Sequence, residues 1–180
     1  MSIFNVYRTK KDVTDILSGD VEVGDRIEFI FGKFGLQSAT ACVKEDNMEL
    51  FMFDNVIGQC KAKEAKHWLN DISKEFPSSF GDVQVLLPTC GMIFGEETVF
   101  RYFYEDDMDK QFIFMNKRVN RDCDYNGKPT GWILSNKSVR DKDLIPIVSK
   151  FGNAGHTTKN KICGIRPIFW IELRKEGQYV

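Results

Sequence analysis

The sequence predicts one α+β domain, and three observations support that class. The chain has 180 residues, of which 42% are hydrophobic and 15 are phenylalanine, so it can bury one sizeable core. No Gly/Ser-rich or Pro-rich linker and no internal repeat divides it. Short strand-like segments make up most of the chain, and a few helical segments interrupt them. We divide it into an N-terminal helical arm, residues 1–20, and a single domain, residues 21–180.

Two segments have the periodicity and the end signals of helices. Residues 10–17 are amphipathic, with Thr9 placed to cap the first turn and Gly19 placed to end the last one. In residues 62–75 apolar side chains recur every three or four positions until a proline halts the pattern. Residues 91–104 are ambiguous, because their glutamates suit a helix and their aromatic residues suit a strand. We favour a short helix there.

The other ordered segments are predicted strands, because they are short and rich in β-branched and aromatic residues. They are residues 26–32, 39–44, 48–53, 83–87, 131–134, 144–149 and 165–173. Turn-forming residues 45–47 join two of them in a hairpin. The strongly apolar segment 83–87 is predicted to be interior, whereas residues 151–161 are predicted to form a loop containing glycine and lysine.

Cysteine usage and the N-terminal residues favour a reducing compartment. The five cysteines lie at least eighteen positions apart and form no C-x-x-C pair, so we expect reduced, mostly buried thiols and no zinc site. The first residues lack the pattern of a secretory signal, and no apolar run reaches membrane-spanning length. We therefore expect a cytoplasmic protein with no cofactor, no metal and no membrane partner.

Charge is distributed unevenly along the chain although the net charge is only −1. Residues 1–109 hold 11 Lys and Arg against 20 Asp and Glu, whereas residues 110–175 hold 14 against 5. Such asymmetry is typical of a bipolar surface that meets a polyanion with its basic end. The alternative is that the two halves interleave in space and neutralise each other.

Short motifs follow one another in a recognisable order. Residues 163–173 resemble a G-V-R-P-A-L-x-L-x-L ending, and residues 23–29 resemble an opening V-G-D-x-I-x-F. Residues 68–71 match a W-L-N helix, and residues 131–135 stand where a W-W-L-R-S-P segment would fall. Together they resemble a domain-of-unknown-function family that is common in Firmicutes and their phages, collinearly over residues 21–173.

That family is similar to the C-type-lectin-like group, which also includes sulfatase-modifying proteins and phage receptor-binding domains. The resemblance implies a twisted, mostly antiparallel sheet with a few packed helices. The chain lacks the C-terminal cysteine pair that binds copper in sulfatase-modifying relatives, and it lacks the E-P-N and W-N-D calcium motifs of sugar-binding lectins. Small phage proteins of this kind often block a host function.

Cations in the second half are the candidate binding residues, because many fall in loop-rich sequence with Tyr125 available for stacking on bases. They are Lys117, Arg118, Arg121, Lys128, Arg140, Lys159 and Lys161, with Lys150 among further cations nearby. If half of them share a face, RNA or a ribonucleoprotein is the expected partner. The alternative is dispersed charge that keeps the surface soluble.

Two further features are weaker candidates for chemistry. His156 lies in a polar loop beside lysines and could act as a general base, although no carboxylate is adjacent to it. The acidic run 105–109 could bind a hard cation or imitate a nucleic-acid backbone, but it lacks the ligand spacing and the glycine of a calcium loop. A solvated acidic loop is the commoner meaning of such a run.

These features favour a binding protein over an enzyme. We expect a phage or mobile-element protein of the bacterial cytoplasm that inhibits a host macromolecule, such as a CRISPR effector with its guide RNA. The alternatives are a ribonuclease, active alone or with a partner, that uses His156, and a lectin-like ligand-binding module of a virion. The sequence does not predict an oligomeric state.

Overall fold

The computed structural model describes residues 10–95, 109–138 and 141–173. Within them the strands are β1 Lys10–Lys11, β2 Arg26–Ile30, β3 Leu36–Lys44, β4 Met48–Phe53, β5 Gly58–Lys61, β6 Gln84–Leu86, β7 Asp124–Tyr125, β8 Lys128–Pro129, β9 Trp132–Ile133, β10 Leu144–Val148, β11 Ala154–Thr158, β12 Ile162–Ile165 and β13 Ile168–Glu172. The α-helices are α1 Val13–Leu17, α2 Ala65–Ile72 and α3 Cys90–Phe94. Single 3-10 turns precede and follow α2, so the predicted helix at 62–75 is confirmed.

The strands form two main sheets. The larger has the order β1-β2-β3-β4-β13-β6, and the smaller has the order β11-β10-β9-β12-β5. Neighbouring strands pair antiparallel, except that β1 lies parallel to β2 and β9 lies parallel to β12. β7 and β8 form a separate two-stranded ribbon. The predicted class, α+β with mostly antiparallel sheets and few helices, is therefore confirmed.

The acidic and basic halves of the sequence interleave in both sheets. β13 comes from the basic half and lies between β4 and β6 of the acidic half, while β5 of the acidic half pairs with β12. The charge split along the sequence is therefore not a split between two ends of the molecule. A basic surface has to be located from the exposure of individual side chains.

The central strand β4 of the larger sheet is buried on both faces. Along β4, Phe51 and Phe53 enter one hydrophobic core, which α1 and α2 also line. Leu50 and Met52 enter a second core on the opposite face, around the fully buried Trp132. Burial on both faces explains why β4 is apolar almost without interruption.

Phenylalanine rings pack closely in the first core. The ring of Phe169 lies 4.8 Å from that of Phe76 and 5.1 Å from that of Phe53, centre to centre. Phe31 lies 4.7 Å from Phe76 in an edge-to-face arrangement. Such contacts hold β2, β4 and β13 against the segment that follows α2.

The C-terminal segment, predicted as one strand over 165–173, is two strands in different sheets. The chain leaves the smaller sheet at Ile165 and enters the larger sheet at Ile168. Between them Arg166, only 4% exposed, donates from Nε to Phe53 O at 2.8 Å and from Nη1 to Asn120 O at 3.0 Å. These two bonds fix the crossing between the sheets.

Two strand predictions are corrected. Segment 83–87 is an edge strand rather than an interior one, because β6 pairs only with β13 among the described strands, and Leu86 is 39% exposed. Residues 151–161 are not a loop throughout, since they contain β11, which pairs with β10 over five positions. Small and polar residues form β11, so the sequence lacks the apolar alternation that indicates a strand.

The described part of the N-terminal arm packs on the domain. α1 begins at Val13, with Asp12 as its N-cap in a capping box with Asp15, while Thr9 lies outside the described residues. Gly19 follows the helix with φ +74°, as predicted. Ile16 is fully buried in the first core. No helix in 10–95, 109–138 or 141–173 is long and apolar enough to cross a membrane.

The predicted helix at 91–104 can be compared only in part. Its first residues fall in α3, which Thr89 caps by accepting a hydrogen bond from Met92 N at 3.2 Å. Residues 96–104 lie outside the described residues.

Candidate functional site

Two turns from the basic half of the chain contact each other at the surface. One is the 3-10 turn Arg118–Asn120, and the other is the tight turn between β10 and β11. Arg118 Nε donates to Phe151 O at 2.8 Å, and Gly152 N donates to Ser149 O at 2.9 Å. The first bond joins the two turns, and the second closes the turn between β10 and β11.

Gly152 is required for this contact. Its φ is +69°, a conformation that residues with a side chain rarely adopt. A Cβ at this position would lie 2.7 Å from Arg118 O and 2.5 Å from Asp122 Oδ1, which is closer than real Cβ contacts come. Glycine thus permits both the turn and the close approach of the two loops.

The interlocked turns present cations and apolar groups side by side. We call the surface of Lys117, Arg118, Val119, Lys150 and Phe151 the basic ridge. Val119 is 70% exposed and Phe151 is 56% exposed, while the Lys150 ammonium lies 4.9 Å from the centre of the Phe151 ring. Exposed apolar groups beside cations are typical of surfaces that bind macromolecules.

A small pocket of about 190 Å³ adjoins the basic ridge, since Val119 lines both. Arg166 forms part of its lining together with Asp54 and Asp122. Asp54 is already engaged, because it accepts a hydrogen bond from Thr40 Oγ1 at 2.6 Å and pairs with Arg26 Nε at 3.0 Å. Arg166 is likewise engaged through its bonds to Phe53 O and Asn120 O.

A larger open cleft of about 510 Å³ lies between the β7–β8 ribbon and the start of β3. Three segments line it: Phe34 and Gln37, then residues 55–57, then residues 124–127. Asp124 is the only charged residue among its lining side chains. Two lysines stand beside it, because Lys33 Nζ lies 5.3 Å from the centre of the Phe34 ring and Lys128 lies opposite Tyr125 in the ribbon.

The predicted binding residues divide into several environments. Lys117 and Arg118 lie on the basic ridge, where Lys150 joins them. Lys128 is exposed on β8, directly opposite Tyr125 in the ribbon. Lys159 pairs with Asp143 at 2.7 Å, and Lys161 is exposed before β12. Arg140 lies outside the described residues.

Arg121 is not a surface cation, which corrects its place among the binding residues. It is only 8% exposed, and its guanidinium carbon lies 4.8 Å from the centre of the Phe94 ring. Trp132 Nε1 donates to its carbonyl oxygen at 3.1 Å. Arg121 therefore belongs to the packing of the second core.

His156 lies on β11, exposed and opposite Pro146 in β10. In the described part of the chain it makes no hydrogen bond or ion pair with a protein group. A general base needs an acid or an orienting group within hydrogen-bond reach. None is hydrogen-bonded to His156 among the described residues.

The cysteines are free thiols, and Asp109 of the acidic run is hydrogen-bonded. All five cysteines are thiols, and burial raises the pKa of Cys60 to about 11 and raises the pKa of Cys123 and Cys163 above the ordinary value. Within the described ranges, no three His, Cys, Asp or Glu residues are placed to hold a metal ion. Asp109 accepts a hydrogen bond from Thr89 at 2.8 Å, and residues 105–108 lie outside the described residues.

Sequence reasoning missed the buried Glu49. It is 1% exposed, and neither carboxylate oxygen has a hydrogen-bond partner among the described residues. Burial raises its pKa to about 7. The signal available in the sequence is a glutamate inside the apolar run Met48–Phe53, where an outward-facing side chain is the ordinary expectation.

Comparison of the chain with protein-family models, curated proteins and solved structures finds no match.

Proposed function

We propose that this chain is a binding protein that docks on a polyanionic host macromolecule and inhibits it. The observation that carries the proposal is the basic ridge, in which three cations and two exposed apolar side chains stand on two interlocked turns. Cations bind phosphate by releasing counterions, and exposed apolar groups add contact area. A preorganised surface of this kind binds without the entropy loss of ordering a loop.

The proposed partner is a bacterial ribonucleoprotein, such as a CRISPR effector loaded with guide RNA. A ribonucleoprotein offers phosphate to the lysines and protein surface to Val119 and Phe151. The resemblance to a phage-associated family supports a phage or mobile-element origin, action in the host cytoplasm and a C-type-lectin-like arrangement of the sheets. Inhibition follows if docking covers the surface that the effector uses to bind target nucleic acid.

The experiment measures target cleavage by a guide-loaded effector nuclease with increasing amounts of the protein. The test variant carries Lys117→Ala and Lys150→Ala, which remove two ridge charges without touching the Arg118–Phe151 hydrogen bond. The matched control carries Lys63→Ala and Lys66→Ala, two exposed lysines on the helical segment around α2. All three proteins should have the same thermal stability within about 0.5 kcal/mol, because exposed charges contribute little to folding.

The wild-type protein and the control variant are expected to inhibit cleavage equally. The ridge variant is expected to need about thirtyfold more protein for half inhibition, because two lost phosphate contacts at roughly 1 kcal/mol each weaken binding by about 2 kcal/mol. Inhibition that survives removal of the ridge charges, or no inhibition by any of the three proteins, would contradict the proposal.

A further inference from the structure

Two cysteines stand directly opposite each other in the smaller sheet. β5 pairs antiparallel with β12, and Cys60 is the register partner of Cys163. The side chains of directly opposite residues lie on the same face of a sheet. Here both thiols pack in the first core, where Cys163 is 6% exposed and Cys60 is only partly buried. The two sulfur atoms are therefore neighbours across the ladder.

The strand geometry brings this pair within reach of a disulfide. Ala62 N donates to Lys161 O at 3.0 Å, so the hydrogen-bonded pairs that alternate along the ladder include Cys60 with Cys163. Such pairs have Cα atoms about 5.5 Å apart, within the commonest range for disulfides. Their Cβ atoms lie up to about 5.5 Å apart and must approach to about 4.5 Å. β5 stands at the edge of the smaller sheet as described, so it can close this gap without displacing another strand.

The other three cysteines lie on the opposite face of β4. Cys42, Cys90 and Cys123 belong to the second core. In the strand pairs that the structure describes, none of the three has a cysteine as its register partner. Oxidation is therefore expected to join Cys60 to Cys163 specifically.

The surroundings give the two thiols different roles. Burial is the main cause that raises the pKa of Cys60 to about 11, with Glu64 and Cys163 adding to it, so its reaction is slow at neutral pH and faster as pH rises. Burial also raises the pKa of Cys163, but a hydrogen bond with Thr157 and the charge of Lys161 oppose that rise. Cys60 is the thiol that a reagent in solution reaches first, and Cys163 is the thiol that completes the bond.

We infer that Cys60 and Cys163 form a reversible disulfide when the chain meets a small-molecule disulfide such as oxidised glutathione. The Cys60 thiolate attacks one sulfur of the small molecule, whose S–S bond breaks and releases one thiolate. The Cys163 thiolate then attacks the Cys60 sulfur and releases the second thiolate. Two cysteine thiols are oxidised to one disulfide, the small molecule is reduced to two thiols, and the two cysteine protons pass to them.

The disulfide ties the edge strand β5 to β12. It closes a loop of roughly 100 residues, so it restricts the unfolded chain and stabilises the fold. The strain of drawing the two Cβ atoms together makes the bond easier to reduce than a relaxed one. The inference is independent of the basic ridge.

The test treats the reduced full chain with oxidised glutathione at pH 8.5 and maps its tryptic peptides without reduction. Cys60 and Cys163 fall in separate peptides, residues 45–61 and 162–174, and neither peptide contains another cysteine. We expect a loss of about 2 Da from the intact chain, one cross-linked pair of these peptides, and reversal of both by dithiothreitol. The oxidised chain should have a Tm higher by about 5–10 °C.

Cys60→Ser and Cys163→Ser should each abolish the cross-link. The matched control is Cys42→Ser, which keeps a hydrogen-bond donor toward Thr40 O and should form the cross-link as the wild-type chain does. In the wild-type chain, an unchanged mass, glutathione that stays attached, a cross-link through any other cysteine, or a disulfide between two chains would overturn the inference. A cross-linked chain with an unchanged Tm would overturn the stabilising role. Because no nucleic acid or effector is present, failure here is distinct from failure of the ridge.

Discussion

Glu49 interrupts the apolar face that β4 turns toward the first core. Lys44 lies directly opposite on β3, but its ammonium donates instead to Gly19 O and Val21 O, both at 2.9 Å, and to Glu22 Oε1 at 3.2 Å. Burial is the largest cause of the raised pKa, and Glu22 and Asp25 raise it further, against the attraction of Lys44. The carboxyl group is therefore protonated in the folded chain over a wider pH range than an exposed one.

This raised pKa predicts a loss of stability between about pH 4.5 and pH 7. Below the ordinary pKa of 4.5 the group is neutral in both states, but above it the unfolded chain ionises first, which favours unfolding until the folded pKa of about 7 is passed. The loss amounts to about 3 kcal/mol at pH 8. Glu49→Gln should abolish it, so the variant should gain stability over wild type as pH rises, as measured by urea unfolding at pH 4.5, 6 and 8. Glu45→Gln, exposed in the turn between β3 and β4, is the control and should follow wild type; a Glu49 variant that does the same would refute the burial account.

Among elements, the turn between β10 and β11 supports the basic ridge. Its Gly152 combines a positive φ with close backbone contact, whereas Gly127, in the turn of the β7–β8 ribbon, has a φ of +71° with no atom within 4 Å of an added Cβ. Alanine substitutions at the two glycines therefore separate the free-energy cost of the positive φ from the cost of crowding. Substituting each by alanine isolates the contact between the turns.

Gly152→Ala should destabilise the chain by about 1–2 kcal/mol more than Gly127→Ala, because both alanines carry the left-handed penalty and only the first is crowded. It should also weaken RNA binding, since the lysines and Phe151 lose their fixed spacing. Thermal unfolding and fluorescence anisotropy measure the two effects. Equal destabilisation by the two substitutions, with unchanged RNA binding, would show that the interlocked turns are not needed.

Local chemistry explains which elements were predictable. The helix at 62–75 and the hairpin of β3 and β4 follow from periodicity and turn residues, which act within a few positions. β11 was missed because its strand pairing with β10 is set by tertiary contacts rather than by its own small residues. Segment 83–87 was misplaced because apolar composition does not reveal the strand order that leaves β6 at an edge.

At the scale of the whole molecule, the basic half of the chain can be read from the sequence, but which of its cations are exposed cannot. Lys117 and Arg118 were identified as cations in a loop, yet nothing local distinguishes them from Arg121, which tertiary packing buries against Phe94. Phe151 belongs to the site because it contacts Arg118, which lies 33 positions earlier in the sequence. The cleft likewise combines residues from three distant segments, so no single motif could have indicated it.

The measurement that tests the central claim most directly is the salt dependence of binding to a guide-loaded effector and to its guide RNA alone, for wild type and the Lys117/Lys150 double alanine variant. Each lost phosphate contact lowers the slope of log K against log salt by about 0.7 to 0.9. We predict salt-sensitive binding by wild type and a slope smaller by about 1.5 in the variant. Identical slopes for the two proteins, or no binding at low salt, would contradict the account of the basic ridge as a polyanion-binding surface.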